Sequence, residues 1–120
     1  MNKFINLTPH AIKLYEGDNI ILEVPVTKDE SGNIQTARVS QTYEQQPSIA
    51  NYPVFKSTYG VVEGLLEPQP DTYFVVSLLV AQALQLQNIK RDDILVPDTG
   101  AGAKRNDTGQ IIGTTRFMII

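Results

Sequence analysis

Hydrophobic and polar residues alternate along much of the first half of the chain. Ile12 and Leu14 alternate with polar neighbours, and apolar side chains again recur at every second position from 20 to 26, a pattern typical of half-buried strands. The segment between them, 16–19, has the composition of a tight turn, so the two runs predict a hairpin. Residues 34–43 and 59–66 also predict strands, whereas the polar, proline-containing segment 45–53 predicts a loop.

The pattern becomes helical after residue 76. Residues 72–76 are β-branched and aromatic and predict a buried strand, Ser77 is a favourable N-cap, and no glycine or proline interrupts residues 78–88. Gln82, Gln85 and Asn88 form a polar stripe, and the other face is the expected core face (Leu78, Leu79, Ala81, Ala83, Leu84 and Leu86). The chain is therefore predicted to be one small α+β domain, residues 1–120, with a mainly antiparallel sheet and one principal helix at about 78–88.

Composition excludes several kinds of chemistry. The 120 residues contain no cysteine and a single histidine, which excludes disulfides, thiolate catalysis and cysteine-based zinc sites, and we expect no metal and no cofactor. That histidine, His10, ends a Leu-Thr-Pro-His segment with the composition of a turn between two strands. The opening, from Met1 to Pro9, has no long apolar run, so we expect neither a signal peptide nor a membrane span.

The net charge of −3 is unevenly distributed. Residues 89–120 hold five of the ten basic side chains and are slightly basic, while the remainder of the chain is acidic. This balance argues against binding to duplex DNA, which requires a broad basic face. It permits a local pocket for a small anion, built from some of these five residues (Lys90, Arg91, Lys104, Arg105 and Arg116).

A glycine-rich segment, residues 100–105, is the first candidate for such a pocket. Its spacing matches neither common nucleotide-binding fingerprint, but the backbone N–H groups of a glycine-rich loop can hold an anion. Arg105 and Arg116 can each form paired hydrogen bonds with a phosphate, and the helix start at Ser77 offers a third contact. A plain loop with solvated charges is equally compatible with the sequence.

The segment Asp98-Thr99-Gly100 resembles the catalytic loop of aspartic proteases, where two aspartates share a proton. In proteases that loop lies early in the chain, whereas here it lies at position 98 of 120. We therefore predict that Asp98 is a binding or structural residue. A small dimeric hydrolase, either protease-like or a nucleotide phosphodiesterase, is the enzymatic alternative.

Several segments taken together resemble a family of small phage proteins. They are the opening run 5–10 (Ile-Asn-Leu-Thr-Pro-His), the residues around the helix start (Val75-Val76-Ser77, Val80 and Ala81), and a pattern in the tail (Pro97-Asp98-Thr99-Gly100, Arg105, Gly109, Ile111, Gly113, Arg116 and Phe117). In this combination the chain is similar to the first Thoeris anti-defence family. The similarity covers both ends and the helix but not the segment from about 28 to 53.

The resemblance implies a protein that sequesters an immune signal without cleaving it, and hence no enzymatic activity. Members of this family bind a cyclic ADP-ribose isomer, glyco-cyclic ADP-ribose, made by a TIR-domain immune enzyme. Some members also bind cyclic oligonucleotides, and the proteins form homodimers that can assemble into hexamers. Their place of action is the cytoplasm of the infected bacterial host.

An ADP-ribose ligand presents a pyrophosphate, ribose hydroxyls and an adenine ring. Cationic side chains suit the pyrophosphate, short polar side chains suit the ribose, and aromatic rings suit the adenine. The expected ligand-binding residues are Arg105, Arg116, Lys104, Ser77, Asn88, Asp98, Thr99 and Phe74, with Tyr59 or Phe117 as further stacking candidates.

A third function remains open besides the signal-binding protein and the hydrolase. A phage structural or interaction module would need no small ligand. The apolar run 117–120 predicts either an interface between copies of the chain or a strand in the domain's own core.

Overall fold

The computed structural model describes residues 2–119, which fold into one helix and a set of short and long strands. The helix is α1 (Leu78–Leu86). The strands are β1 (Lys3–Asn6), β2 (Ile12–Glu16), β3 (Asn19–Val24), β4 (Thr27–Lys28), β5 (Ile34–Gln35), β6 (Arg38–Ile49), β7 (Tyr52–Glu63), β8 (Thr72–Val75), β9 (Ile94–Pro97), β10 (Ala103–Arg105), β11 (Ile111–Thr114) and β12 (Phe117–Ile119). The predicted α+β class with one helix is confirmed.

Two four-stranded mixed sheets organise the fold. The first has the order β1-β8-β9-β12, in which β1, β8 and β9 are parallel and β12 runs antiparallel to β9. The second has the order β10-β11-β2-β3, in which β2 and β3 form the predicted hairpin and β11 lies parallel to β2. The other strand pairs are antiparallel, as expected. The three parallel strands place their carboxyl ends at one edge of the first sheet, which we call the carboxyl edge.

Helix α1 begins where the sequence predicts. The Ser77 hydroxyl accepts a hydrogen bond from the backbone N–H of Val80 at 3.3 Å, which satisfies one of the amide groups left over at a helix start. Val80, Ala81 and Leu84 are buried in the main core beside Phe74 and other strand residues. The helix therefore packs on the first sheet. Within residues 2–119, no helix combines the length and the apolar character needed to cross a membrane.

The predicted core face of α1 is only partly right. Leu78, Leu79 and Leu86 are 51%, 37% and 70% exposed. A nine-residue helix at 3.6 residues per turn presents one narrow stripe to a sheet, and here that stripe contains valine, alanines and one leucine. Because apolar residues occupy most positions of this helix, the sequence pattern does not distinguish its buried face from its exposed one.

The segment predicted to be a loop is instead the end of a long hairpin. Residues 45–49 belong to β6 and residues 52–53 to β7. These strands are 12 residues each and pair along nearly their whole length. Ala50 and Asn51 connect them with φ angles of 51° and 67°, the left-handed geometry of tight hairpin turns. We call residues 38–63 the ribbon. The radius of gyration of 16.8 Å exceeds the roughly 14 Å of a compact chain of this length, because the ribbon extends away from the body.

The apolar run at 117–120 is divided between core and surface. Phe117 is half-buried and stacks on Phe4 with 5.9 Å between ring centroids. Met118 and Ile119 are 38% and 61% exposed on β12, the edge strand of the first sheet. Ile120, like Met1, lies outside the described residues.

A fully buried asparagine, Asn6, which no local sequence pattern marks, builds the turn that contains His10. The Asn6 side-chain amide donates to the backbone oxygens of His10 and Val24 at 2.7 and 3.3 Å. Its oxygen accepts from the backbone N–H and the hydroxyl of Thr8 at 2.8 and 2.6 Å. The predicted turn between β1 and β2 is confirmed, and its shape depends on Asn6, which hydrogen-bonds to both sides of the connection.

Replacing Asn6 by alanine should destabilise the fold by about 2–3 kcal/mol, since the change leaves several buried polar groups without partners. The free energy of unfolding in urea measures this effect. Asn2→Ala, at an exposed asparagine near the start of the same strand, is the control and should shift that free energy by less than about 0.5 kcal/mol. Equal stability of the two variants would contradict the role assigned to Asn6.

Candidate functional site

The carboxyl edge gathers the start of α1 and the loop that contains Asp98. Strand β8 leads directly into Ser77 and the helix, and the neighbouring parallel strand β9 leads into Asp98. Ligands of sheets with parallel strands bind preferentially beyond the carboxyl ends of those strands, where loops and helix starts meet. This edge brings together Ser77, Asp98, Thr99 and Arg116, four of the residues predicted to bind a ligand, and it is the candidate site.

An ion pair between Asp98 and Arg116 lies at the centre of this edge. The Arg116 Nε–H donates to Asp98 Oδ2 at 2.7 Å, and the Asp98 backbone N–H donates to the Arg116 carbonyl at 3.1 Å. The Asp98 side chain is 6% exposed, whereas that of Arg116 is 60% exposed. Antiparallel pairing of β9 with β12, with Pro97 opposite Phe117, fixes this arrangement.

The environment of Asp98 favours its charged form. The hydrogen bond from Arg116 is the largest cause of a lowered pKa for this carboxyl, and the backbone N–H of Gly100, at 2.9 Å from Oδ1, lowers the pKa further. A carboxylate held in this state accepts hydrogen bonds and does not donate a proton near neutral pH. This geometry differs from the proton-sharing pair of an aspartic protease and supports the structural interpretation of Asp98.

Thr114 and Gly102 fix the loop that follows Asp98. The buried Thr114 hydroxyl lies 2.7 Å from the Asp98 carbonyl oxygen and 2.8 Å from that of Arg116. Thr115 donates to the Gly102 carbonyl oxygen from both its backbone N–H and its hydroxyl, each at 2.7 Å. A Cβ atom on Gly102 would lie 2.9 Å from both the Asp98 carboxylate and the Arg116 side chain. Gly102 therefore permits close packing around the ion pair, a role that the glycine-rich composition alone does not indicate.

Lys104 and Arg105 lie on β10 in the second sheet, and each has a local partner. Lys104 forms an ion pair with Asp18 at 2.9 Å and lies 5.9 Å from the centre of the Tyr15 ring. Arg105 is exposed and donates from one terminal nitrogen to the Gly109 carbonyl oxygen. The three predicted cations are therefore divided between Arg116 at the carboxyl edge and Lys104 and Arg105 on β10 of the second sheet.

The prediction that Phe74 belongs to the ligand site is wrong. Its side chain is fully buried in the main core, and the Arg91 guanidinium lies 5.5 Å from its ring centre. A ring with no exposed face cannot stack on an adenine. The two alternative stacking candidates, Phe117 next to Arg116 and Tyr59 on the ribbon, are both partly exposed.

Asn88 is separated from the rest of the predicted site. It lies just beyond the opposite end of α1 from Ser77, and eleven residues of helical rise correspond to about 16 Å. There it lines an open groove of about 1030 Å³ together with Asn2, Asp71, Tyr73 and Gln85, among others. Within one chain, Asn88 is therefore too far from the carboxyl edge to belong to the same site.

The groove beside Asn88 contains a second tight ion pair. Arg91 donates to both oxygens of Asp93 at 2.8 and 2.6 Å, and to the Leu66 carbonyl oxygen at 2.9 Å. The hydrogen bonds from Arg91 lower the pKa of Asp93. All three guanidinium nitrogens of Arg91 thus hydrogen-bond within the chain. Arg116, with one such nitrogen engaged among the described residues, is the more available of the two arginines for a ligand.

No protein-family model matches this chain, no curated protein matches its sequence, and no solved structure matches its fold.

Gly102→Ala should destabilise the protein by about 1–3 kcal/mol, because the added methyl group overlaps the packed ion pair. Gly100→Ala in the same loop is the matched control, since its Cβ would approach only Asp98 Oδ1, at 3.4 Å. Urea unfolding of both variants measures the difference. A Gly102→Ala protein as stable as the Gly100→Ala protein would show that this packing is not tight.

The Asp98–Arg116 pair should make the protein less stable as the pH falls below about 4. The pKa of Asp98 is lowered in the folded protein, so the contribution is fully present above the ordinary value of about 3.9 and is lost as pH falls through the lowered pKa. Asp98→Asn should be less stable than the wild type at pH 7, and the difference should shrink below about pH 4. Thermal unfolding across this range measures it. A difference that stays constant would contradict the pairing, and Asp107→Asn, at an exposed turn residue, is the control.

Proposed function

We propose that the protein binds a cyclic ADP-ribose isomer at the carboxyl edge and holds it without cleaving it. The observation that carries the proposal is the state of Arg116. A buried carboxylate fixes its Nε, while the side chain of Arg116 is 60% exposed at the carboxyl edge. Within residues 2–119 only this one nitrogen of the guanidinium is hydrogen-bonded. An arginine held in this way presents two terminal nitrogens to a phosphate with little loss of side-chain entropy on binding.

The surroundings of Arg116 suit the other parts of such a ligand. The α1 start favours negative charge, and exposed Thr99 offers a hydroxyl to a ribose. Phe117 follows Arg116 along β12 and is partly exposed, so it replaces Phe74 as the candidate for stacking on adenine. These features support the expectation that follows from the resemblance to the Thoeris anti-defence family.

The chemistry of the same residues supports retention without reaction. Asp98 is held as a carboxylate by Arg116, so it has no proton to donate near neutral pH. The proposed role is to lower the concentration of an immune signal in the cytoplasm of an infected bacterium. Silencing an effector in this way requires a dissociation constant near 1 nM, which corresponds to about −12 kcal/mol.

Calorimetric titration with glyco-cyclic ADP-ribose, followed by heat denaturation and mass spectrometry of the released ligand, tests the function directly. We expect stoichiometric binding and recovery of the intact ligand. Several turnovers to a cleaved product would favour the hydrolase. Absence of any binding would favour a module without a small ligand.

Arg116→Ala should weaken binding about tenfold or more, since a desolvated charge-assisted contact contributes roughly 1.5–3 kcal/mol. Arg105→Ala tests the second predicted cation and should have a smaller effect, because Arg105 lies on β10 of the second sheet and donates to the Gly109 carbonyl oxygen. Arg38→Ala is the matched control, because Arg38 is exposed to a similar extent, 66% against 60% for Arg116, and lies on the ribbon. Circular dichroism establishes that each variant is folded. Unchanged affinity in a folded Arg116→Ala protein would remove this arginine from the site.

A further inference from the structure

The groove beside Asn88 lies at the edge of the first sheet opposite the carboxyl edge. Asn2, Asp71 and Asp93 immediately precede the three parallel strands β1, β8 and β9, and all three line this groove together with Asn88 at the end of α1. We call it the amino-edge groove. With a volume of about 1030 Å³, it is large enough for a small-molecule ligand.

The floor and one wall of the amino-edge groove are fixed by hydrogen bonds within the chain. The backbone N–H of Lys3 donates to the Asp71 carbonyl oxygen at 2.7 Å, and that of Phe74 donates to the Asp93 carbonyl oxygen at 2.8 Å. Arg91 holds the Asp93 carboxylate through two further hydrogen bonds. A ligand therefore meets a preformed surface and need not order the backbone beneath it.

The polar side chains on this fixed surface are free to bind. Exposed carboxamides and carboxylates line the groove (Asn2, Gln69, Gln85, Asn88, Asp71 and Asp92). Among residues 2–119, none of these six side chains hydrogen-bonds to another residue of the chain. A carboxamide offers N–H donors and an acceptor oxygen, and a carboxylate offers acceptor oxygens alone.

Two of these side chains stand where the backbone does not require one. Asp71 and Asn88 have φ angles of 54° and 58°, a left-handed conformation that glycine adopts without steric cost. Glycine at either position would therefore preserve the turn. Each position instead presents a hydrogen-bonding side chain to the groove.

The charges of the groove nearly cancel, and its lining also has apolar parts. Three acidic and two basic side chains line it, and one pair of opposite charges, Arg91 with Asp93, is already joined. Such a lining favours neither a polyanion nor a polycation. Ile89, which is 42% exposed, and the Tyr73 ring add apolar surface. The Tyr73 ring is held by stacking on Phe4, with 5.9 Å between ring centroids.

We propose that the amino-edge groove binds a neutral oligosaccharide. Each sugar hydroxyl both donates and accepts a hydrogen bond, so neighbouring hydroxyls match the carboxamides and carboxylates of the lining. The C–H face of a sugar ring is apolar and suits Tyr73 and Ile89. An open groove of this size accommodates a chain of about two or three sugar units. This inference does not depend on the ligand proposed for the carboxyl edge.

NMR titration of the isotope-labelled protein with maltotriose and with the trimer of N-acetylglucosamine tests the proposal. We expect at least one of these sugars to bind with a dissociation constant between about 0.1 and 5 mM. The backbone signals that shift should belong to residues 71–73 and 85–93, and those of residues 98–102 at the carboxyl edge should stay in place.

Gln85→Ala/Asn88→Gly removes two carboxamides from the groove and keeps the left-handed turn at residue 88. This variant should weaken sugar binding about tenfold or more, since two hydrogen bonds are lost. Gln82→Ala/Asn51→Gly is the matched control. It makes the same two exchanges at an exposed position of α1 outside the groove and at the ribbon turn, where φ is 67°, and should bind sugar like the wild type.

The absence of shifts with both sugars, shifts that lie outside the groove, or equal sugar affinity of the two double variants would overturn the proposal. Tighter binding of spermidine or pyrophosphate than of either sugar in the groove would overturn the assignment to a neutral ligand. Titration of the same samples with glyco-cyclic ADP-ribose separates this proposal from the proposed function. The groove variant should bind that nucleotide as the wild type does, so each proposal can fail alone.

Discussion

The contact between buried Asp98 and exposed Arg116 holds together the carboxyl edge of the first sheet and shapes the candidate site. Asp98 follows β9, and Arg116 precedes β12, so the pair joins the last two strands of the first sheet. Thr114, at the end of β11 in the second sheet, contacts the backbone oxygens of both residues. A buried carboxylate is costly unless it is paired and hydrogen-bonded. Here Arg116 supplies the pairing charge, the Gly100 N–H donates a hydrogen bond, and Gly102 lets the chain pass close to the pair.

Much of the fold could be predicted from local pattern alone. Alternation at 12–26 specifies the β2–β3 hairpin, and the Ser77 cap specifies the start of α1, because both signals come from neighbouring residues. The parallel pairs β1–β8 and β8–β9 join residues about 70 and 20 positions apart, which no local signal encodes. The full length of the ribbon was not predicted, because its polar, proline-containing segment has the composition of a loop. Cross-strand pairing and the turn at Ala50 and Asn51 determine its structure instead.

The candidate site shows the same division between local and distant information. The sequence identified Asp98, Arg116 and Ser77 by chemical type, and the parallel sheet brings them to one edge. The prediction for Phe74 is wrong, because the sequence of a strand does not show which of its phenylalanines are buried. The sequence also grouped Asn88 with residues that lie at the other end of the helix. Asn6 and Thr114 could not be identified from the sequence. Each is important only because backbone oxygens from several distant segments lie within hydrogen-bonding distance of its side chain.

The central claim is that Asp98 holds Arg116 by its Nε so that the terminal nitrogens can bind a phosphate. Nitrogen NMR of the arginine side chains, recorded during titration with glyco-cyclic ADP-ribose, tests this claim most directly. The account predicts that the Arg116 Nε–H is protected from exchange before ligand is added and remains so, while the signals of its terminal nitrogens shift in proportion to bound ligand. Binding that leaves the Arg116 signals unchanged, or an Nε–H that exchanges as fast as that of Arg38 in the absence of ligand, would contradict it.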